Sequence, residues 1–295
     1  TLIMGTHNHG QGHETIFRQM LADMLGLEFE QVRMLQGDTD VAMAGTGTFG
    51  SRSSGVGGAS IQAASKKIVE KCKLVVSHYL EAAVEDIEFA DGTFTVAGTD
   101  KTMDLMDAAK KAQSFMTAPP GFEVGLDEWA AWSPPAPTFP NGCHVAEVEI
   151  DPDTGVTEIV RYCMVDDVGT VINPLLLAGQ VHGGAVQGIG QIMCENMVWD
   201  DDSGQMVSGS FMDYTMPRAD DCPSFEMAEN EVPSPTNPMG IKGAGEAGCV
   251  GAMPAVMNAV CDALATRGIA TFDMPASPNR IWHALQAPAS QQAAE

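Results

Sequence analysis

Ile241-Lys242-Gly243-Ala244-Gly245-Glu246-Ala247-Gly248 leads into an apolar run that continues from Cys249 to Ala265. Glycines at 243, 245 and 248 let the backbone take positive φ and let another molecule come close. The run behind them reads as a helix, whose first N–H groups lack intrahelical partners and point back toward the turn. Such a helix start attracts anions, so a Glu here has an ordinary dipole explanation. It has a chemical one as well. A carboxylate kept dry and shifted toward neutrality can act as a general base.

Outward from that turn, Asn173-Pro174 precedes an apolar helix from Leu175 to about Met193, interrupted by Gly183, Gly184, Gly188 and Gly190. Glycines inside a helix cost stability and argue for close packing against a backbone or a ligand. His144–Ile150 and Val156–Val165 alternate around Asp151-Pro152-Asp153-Thr154-Gly155 and predict a hairpin. Phe211–Met216 and Phe225–Glu231 read as short strands, and Asn279–Leu285 as a last helix before a polar tail expected to fray.

In the first half, Thr1–His9 reads as a strand ending at Gly10-Gln11-Gly12, and His13–Leu25 as a helix closed by Gly26. Gln31–Gln36 is a second strand, and residues 44–58 read as a Gly/Ser/Thr loop. The next helix carries a stripe of Ile61, Ala64, Ile68, Cys72, Val75 and Tyr79. Ile87–Phe89 and Thr93–Val96 flank Asp91-Gly92 as a hairpin, and residues 117–142 are a Pro-rich loop. Helices and strands mix without a steady βαβ repeat, which predicts an α+β fold. The expected subdomains are 1–140 and 141–295.

With 15 Lys plus Arg against 39 Asp plus Glu, the 295-residue chain carries a formal charge of −24. So acidic a surface repels phosphate backbones and anionic membranes, which argues against nucleic-acid and membrane partners. No apolar run is read as approaching a membrane span, and no basic, apolar-cored leader opens the chain. Seven Cys stand without a Cys-x-x-Cys pair, a pattern of apolar fillers in a reducing, cytoplasmic compartment. Thr1-Leu2-Ile3-Met4 reads as the middle of a strand, so a fragment or split subunit that packs against more protein is expected.

Gln11, between Gly10 and Gly12, offers a donor and an acceptor at a strand-to-helix turn. Ser51, Arg52 and Ser53 beside a helix start combine hydroxyls, a guanidinium and backbone N–H groups, which suits a phosphate or pyrophosphate. Gly45-x-Gly47-x-x-Gly50 matches a dinucleotide fingerprint by letters only, because it does not closely follow a strand, and no Gly-Lys-Ser/Thr occurs. Gln187 gives a second amide within the glycine-studded helix. A rival reading takes His7, His9 and His13 as metal ligands of a hydrolase, since residues i and i+2 of a strand share a face. The remaining histidines, His144 among them, look incidental. A third reading, a scaffold without chemistry, sits poorly with the presence of Glu246, Gln11 and Gln187.

Gly10-Gln11-Gly12, Gly50-Ser51-Arg52-Ser53, the segment Gly179–Gly190 and Lys242-Gly243-Ala244-Gly245-Glu246 occur in the order found in molybdenum hydroxylases of the xanthine oxidase family. Asn141–Asp151 and Val165–Pro174 are also similar. The chain resembles the C-terminal part of the molybdenum-binding large subunit, as in bacterial aldehyde, N-heterocycle and carbon monoxide dehydrogenases. The resemblance implies a molybdopterin, in its cytosine dinucleotide form, with molybdenum held through the pterin rather than by side chains. It implies that Gln11 and Gln187 bond to the pterin and the metal's ligands, with Gly10, Gly12, Gly188 and Gly245 close by. It implies phosphate binding by Ser51, Arg52 and Ser53, loop ordering by Lys242, and Glu246 as the base that deprotonates a metal-bound hydroxyl. Hydride then passes to a sulfur on the metal, water replaces the oxygen, and electrons leave through 2Fe-2S and FAD. Those centres are expected on small and medium partner subunits, and the rest of the large subunit is expected as a further partner.

Overall fold

The computed structural model describes residues 1–286; the polar tail expected to fray begins at the edge of that range and lies largely outside the described residues. The fold is α+β, built as two compact units. One unit comprises Thr1–Thr138 with Ser234–Ile241, and the other Phe139–Pro233 with Lys242–Glu295.

In the first unit, β1 (Leu2–Met4) pairs in parallel with β2 (Met34–Gln36), with α1 (His13–Leu25) between them in sequence. Both strands are shorter than the alternation suggested, and a 3-10 turn at Phe29–Gln31 replaces the start of the second. Helix α2 runs Ser53–Leu80 and so begins inside the stretch expected to be loop. The reason is packing. A methyl at Gly57 would lie 2.7 Å from the Phe17 ring, and one at Gly58 would lie 2.8 Å from the Met239 sulfur. Glycines that read as a flexible loop are therefore helical, and they let α1 and residue 239 come close. The hairpin of β3 (Ile87–Ala90) and β4 (Thr93–Val96) turns at Asp91-Gly92, both at positive φ as a type I′ turn requires. A third strand, β5 (Thr102–Asp104), and helix α3 (Leu105–Ala112), capped by Asp104, complete this part. Cys72, Val76, Ile87, Phe94 and Ala108 form its core. The Tyr79 ring stays at the surface, its hydroxyl donating to the Thr117 carbonyl at 2.7 Å.

In the second unit, β6 (Asn141–Ile150) runs antiparallel to β7 (Thr157–Asp167), and β8 (Phe225–Glu229) adds in parallel on the far side of β7. Helix α4 (Pro174–Met193) starts at Asn173, whose side chain accepts from the Leu176 N–H. Residues 211–216, read from sequence as a strand, instead hold the short helix α5 (Phe211–Tyr214). Ser210 caps it by accepting from the Asp213 N–H, and a local cap outweighs the β-propensity of one aromatic pair. Helix α6 spans Ala247–Ala265 and α7 spans Pro278–Gln286. Val181, Ala185, Ile189, Ala252, Val256 and Val260 bury the α4 and α6 faces against Tyr162 and Met164 of the sheet. Fully burying such an aliphatic side chain contributes roughly 1.5–3 kcal/mol. By length and composition α6 could cross a membrane, contrary to the sequence reading that no run approaches a span. In this fold its apolar stripe of Ala252, Val256, Val260 and Leu264 is buried in the unit's own core.

Candidate active site

Each unit brings part of the expected constellation together. In the first, the Gly-Gln-Gly turn and the Ser/Arg loop are neighbours. The His7 N–H donates to the Thr48 hydroxyl at 3.1 Å, Ser53 Oγ bonds the same hydroxyl at 3.1 Å, and the Gly47 N–H donates to the Gly5 carbonyl at 3.2 Å. Gln11 sits between Gly10 at φ 112° and Gly12 at φ 77°, a path that a side chain at either neighbour would resist. Its amide oxygen accepts from the His9 N–H. Nothing lies within 4 Å of where a Cβ of Gly10 would stand, so the space beside this turn is open on this unit.

Ser51, at φ 52°, and Arg52 lead into α2, whose N-cap residue Arg52 makes no side-chain capping bond. The Arg52 guanidinium bonds Thr46 Oγ1 at 2.6 Å and lies over the Phe49 ring at 4.1 Å. Hydroxyls, a guanidinium and a helix start make a donor set that fits a phosphorylated cofactor.

His7 Nδ1 and His9 Nε2 are 2.9 Å apart, while His13 is buried against Phe17. Burial and the neighbouring His9 and His7 hold the His13 pKa below its usual value. Among the described residues no group of three His, Cys, Asp or Glu is placed to hold a metal.

In the second unit, α6 crosses α4 at glycines. A methyl at Gly248 would collide with the Val181 carbonyl and stand 2.7 Å from the Ala185 nitrogen; at Gly188 it would lie 2.9 Å from Ala252 Cβ. Gly184 and Gly188 thus serve the helix crossing, and Gln187 stands exposed beside it on α4. Glu246 occupies the N-cap position of α6 and is also exposed. The Cys249 thiol, one turn along, is pushed up first by burial and then by the Glu246 and Glu195 charges.

Lys242 anchors the turn that carries Glu246. Its N–H donates to the Val168 carbonyl at 2.8 Å, and its ammonium pairs with the largely buried Asp167 carboxylate. Asp167 Oδ1 also accepts from the N–H groups of Gly169 at 2.9 Å and Val232 at 3.1 Å. Burial alone would raise the Asp167 pKa; the Lys242 hydrogen bond, the two amides and the Lys242 charge outweigh it, and the net shift is downward.

Asp167 was not singled out from sequence, nor were Asp166, His144 and Tyr162, which form a buried polar cluster beneath α6. The signals on offer were the doublet Asp166-Asp167 at a strand end and the family resemblance of Asn141–Asp151 and Val165–Pro174.

The model of the molybdopterin cofactor-binding domain matches residues 1–223. The chain belongs to that family, and with it to the molybdenum-binding large subunits of the xanthine oxidase type. It is 38% identical over 283 residues to the carbon monoxide dehydrogenase large chain of Hydrogenophaga pseudoflava, covering 96% of this chain and 35% of that one. It is 37% identical over 288 residues to the nicotine 6-hydroxylase large subunit of Paenarthrobacter nicotinovorans, covering 97% and 35%. Its fold superposes on reconstituted CO dehydrogenase from Oligotropha carboxidovorans with a TM-score of 0.90 at 36% identity, covering 99% of this chain and 35% of that one. This molybdopterin-binding chain therefore spans about a third of the length of the relatives it matches.

Proposed function

We propose that the chain is the cofactor-holding part of the large subunit of a molybdenum hydroxylase. In this reading it oxidises a small substrate at carbon with oxygen from water. Electrons leave to iron–sulfur and flavin centres on partner chains, in a reducing, cytoplasmic compartment. The supporting observation is the Glu246 turn: a carboxylate at the start of a rigidly packed helix, tied down four residues earlier by the Lys242–Asp167 pair.

When bound, the molybdenum–pterin group supplies the two-electron acceptor for oxidation at carbon. Gln11 of the first unit and Gln187 of the second would each offer it an amide, and Gly10, Gly12 and Gly245 would leave room. Ser51, Arg52 and Ser53 would hold its phosphates, in the proposed cytosine dinucleotide form. The Glu246 carboxylate, exposed on this chain rather than dry, would accept the proton lost by the attacking water-derived oxygen and release it in each turnover. The N-terminal remainder of the large subunit supplies most of the substrate's surroundings. The named relatives act on carbon monoxide and on nicotine, so the class proposed spans carbon monoxide, aldehydes and N-heterocycles.

Co-purification with the partner chains followed by elemental analysis tests this. One molybdenum per copy, with CMP released on acid hydrolysis and turnover of one member of an aldehyde and N-heterocycle panel or of carbon monoxide, is expected. Zinc or manganese in place of molybdenum would refute it.

A further inference from the structure

The doublet that closes β7 divides its two carboxylates between two tasks. Asp167 holds Lys242 at the entry to the Glu246 turn. Asp166 instead meets His144 of β6, whose Nε2 lies 3.3 Å from each carboxylate oxygen. The other ring nitrogen, Nδ1, lies 2.8 Å from Tyr162 Oη. An ionised carboxylate only accepts, so Nε2 carries a proton, and in the neutral ring the Tyr162 hydroxyl donates to Nδ1. The cluster is deep: the His144 and Asp166 side chains are 3% and 4% exposed, and Tyr162 is fully buried. Both ring nitrogens are engaged, so rotating or sliding the imidazole breaks two buried hydrogen bonds at once.

What rests on this ring is the start of α6. A methyl at Gly251 would fall 2.5 Å from His144 Cε1 and Nδ1, so the helix backbone packs directly on the imidazole. Gly251 follows Glu246 by five residues, and Gly248 between them is seated on the α4 backbone. The Glu246 turn is thus fixed on both sides, by Asp167–Lys242 before it and by Asp166–His144 beneath the turn after it. An apolar residue at 144 could fill the same volume, but it would leave the height of the helix start over the sheet to packing alone.

We infer that His144, locked between Tyr162 and Asp166, is a positioning residue that sets the place of the Glu246 carboxylate through Gly251. The inference rests on the reading of Glu246 as the base. It also makes a structural claim that stands apart from turnover.

The test uses the assembled enzyme with His144→Phe, which keeps a ring, and Tyr162→Phe, which removes one hydroxyl and preserves the fold should His144→Phe fail to accumulate. Hydrogen–deuterium exchange over residues 242–251 should quicken in both, with the far half of α6 unchanged. The kcat should fall about tenfold or more in His144→Phe and less in Tyr162→Phe, with KM within about twofold and molybdenum content intact, as expected for a displaced catalytic group. Unchanged exchange over 242–251, or a loss of turnover that follows loss of molybdenum or uniform loosening of the unit, overturns the inference. Glu246→Gln is run alongside. If that variant keeps its turnover the base assignment fails, while the exchange rates still decide whether His144 holds the turn.

Discussion

Lys242 and Asp167 tie down the entry to the turn proposed to carry the base. The pair is almost dry, so Lys242 is needed to balance the Asp167 charge even though two N–H groups also donate to that carboxylate. Removing one partner of such a pair strands the other, at a cost of about 3 kcal/mol. Lys242→Met should therefore lower the free energy of unfolding by that order at pH 7. The sign with pH follows from the depressed Asp167 pKa. A lowered carboxyl contributes stability that is complete above the unfolded-state value of about 3.9 and is lost as pH falls through the lower folded value. Urea unfolding should show the gap between wild type and Lys242→Met widest at neutral pH and narrowing below pH about 4. A gap constant into that acid range would contradict the assignment.

Among the elements, the crossing of α4 and α6 determines where Glu246 stands. Gly248→Ala should force the helices apart, because its methyl meets the backbone of Val181 and Ala185 rather than a flexible side chain. Overpacking of this kind costs at least about 1–3 kcal/mol. Gly183→Ala, in α4 but with nothing within 4 Å of the new methyl, should instead stabilise by up to about 1 kcal/mol through helix propensity. Thermal unfolding of the two variants separates them, and equal destabilisation would show that the crossing is not set by these glycines. The sequence conveyed α1, α4, α6 and both hairpins because each has a continuous apolar period and a cap or turn residue at its end. It misplaced the start of α2, since Gly55, Gly57 and Gly58 look like loop until the side chains they admit are known. It misread residues 211–216, where the Ser210 cap acts over one turn. The His144 cluster was out of reach altogether: His144, Tyr162 and Asp166 meet through strand register and burial, across 18 and 22 positions, and periodicity carries no trace of that.

For the whole molecule, connectivity matters as much as composition. The chain passes from the first unit to the second after Thr138, returns at Ser234 and leaves again after Ile241, immediately before Lys242. The segment 234–241 belongs to the first unit, where the Asn237 amide donates to the Gly55 carbonyl at 2.9 Å. Glu246 is thus reached by a loop anchored at its start in one unit and at its end in the other's helix α6. Gln11, Ser51, Arg52 and Ser53 lie in the first unit, and Gln187, Lys242 and Glu246 in the second. In the proposed reading Glu246 is the proton acceptor beside a molybdenum–pterin cofactor. The kcat of Glu246→Gln, in the complex assembled with its partner chains, tests it most directly. The expected fall is at least about 100-fold, the lower range for losing a general base, with molybdenum content and thermal stability unchanged. Turnover within about twofold of wild type at full molybdenum occupancy would contradict it.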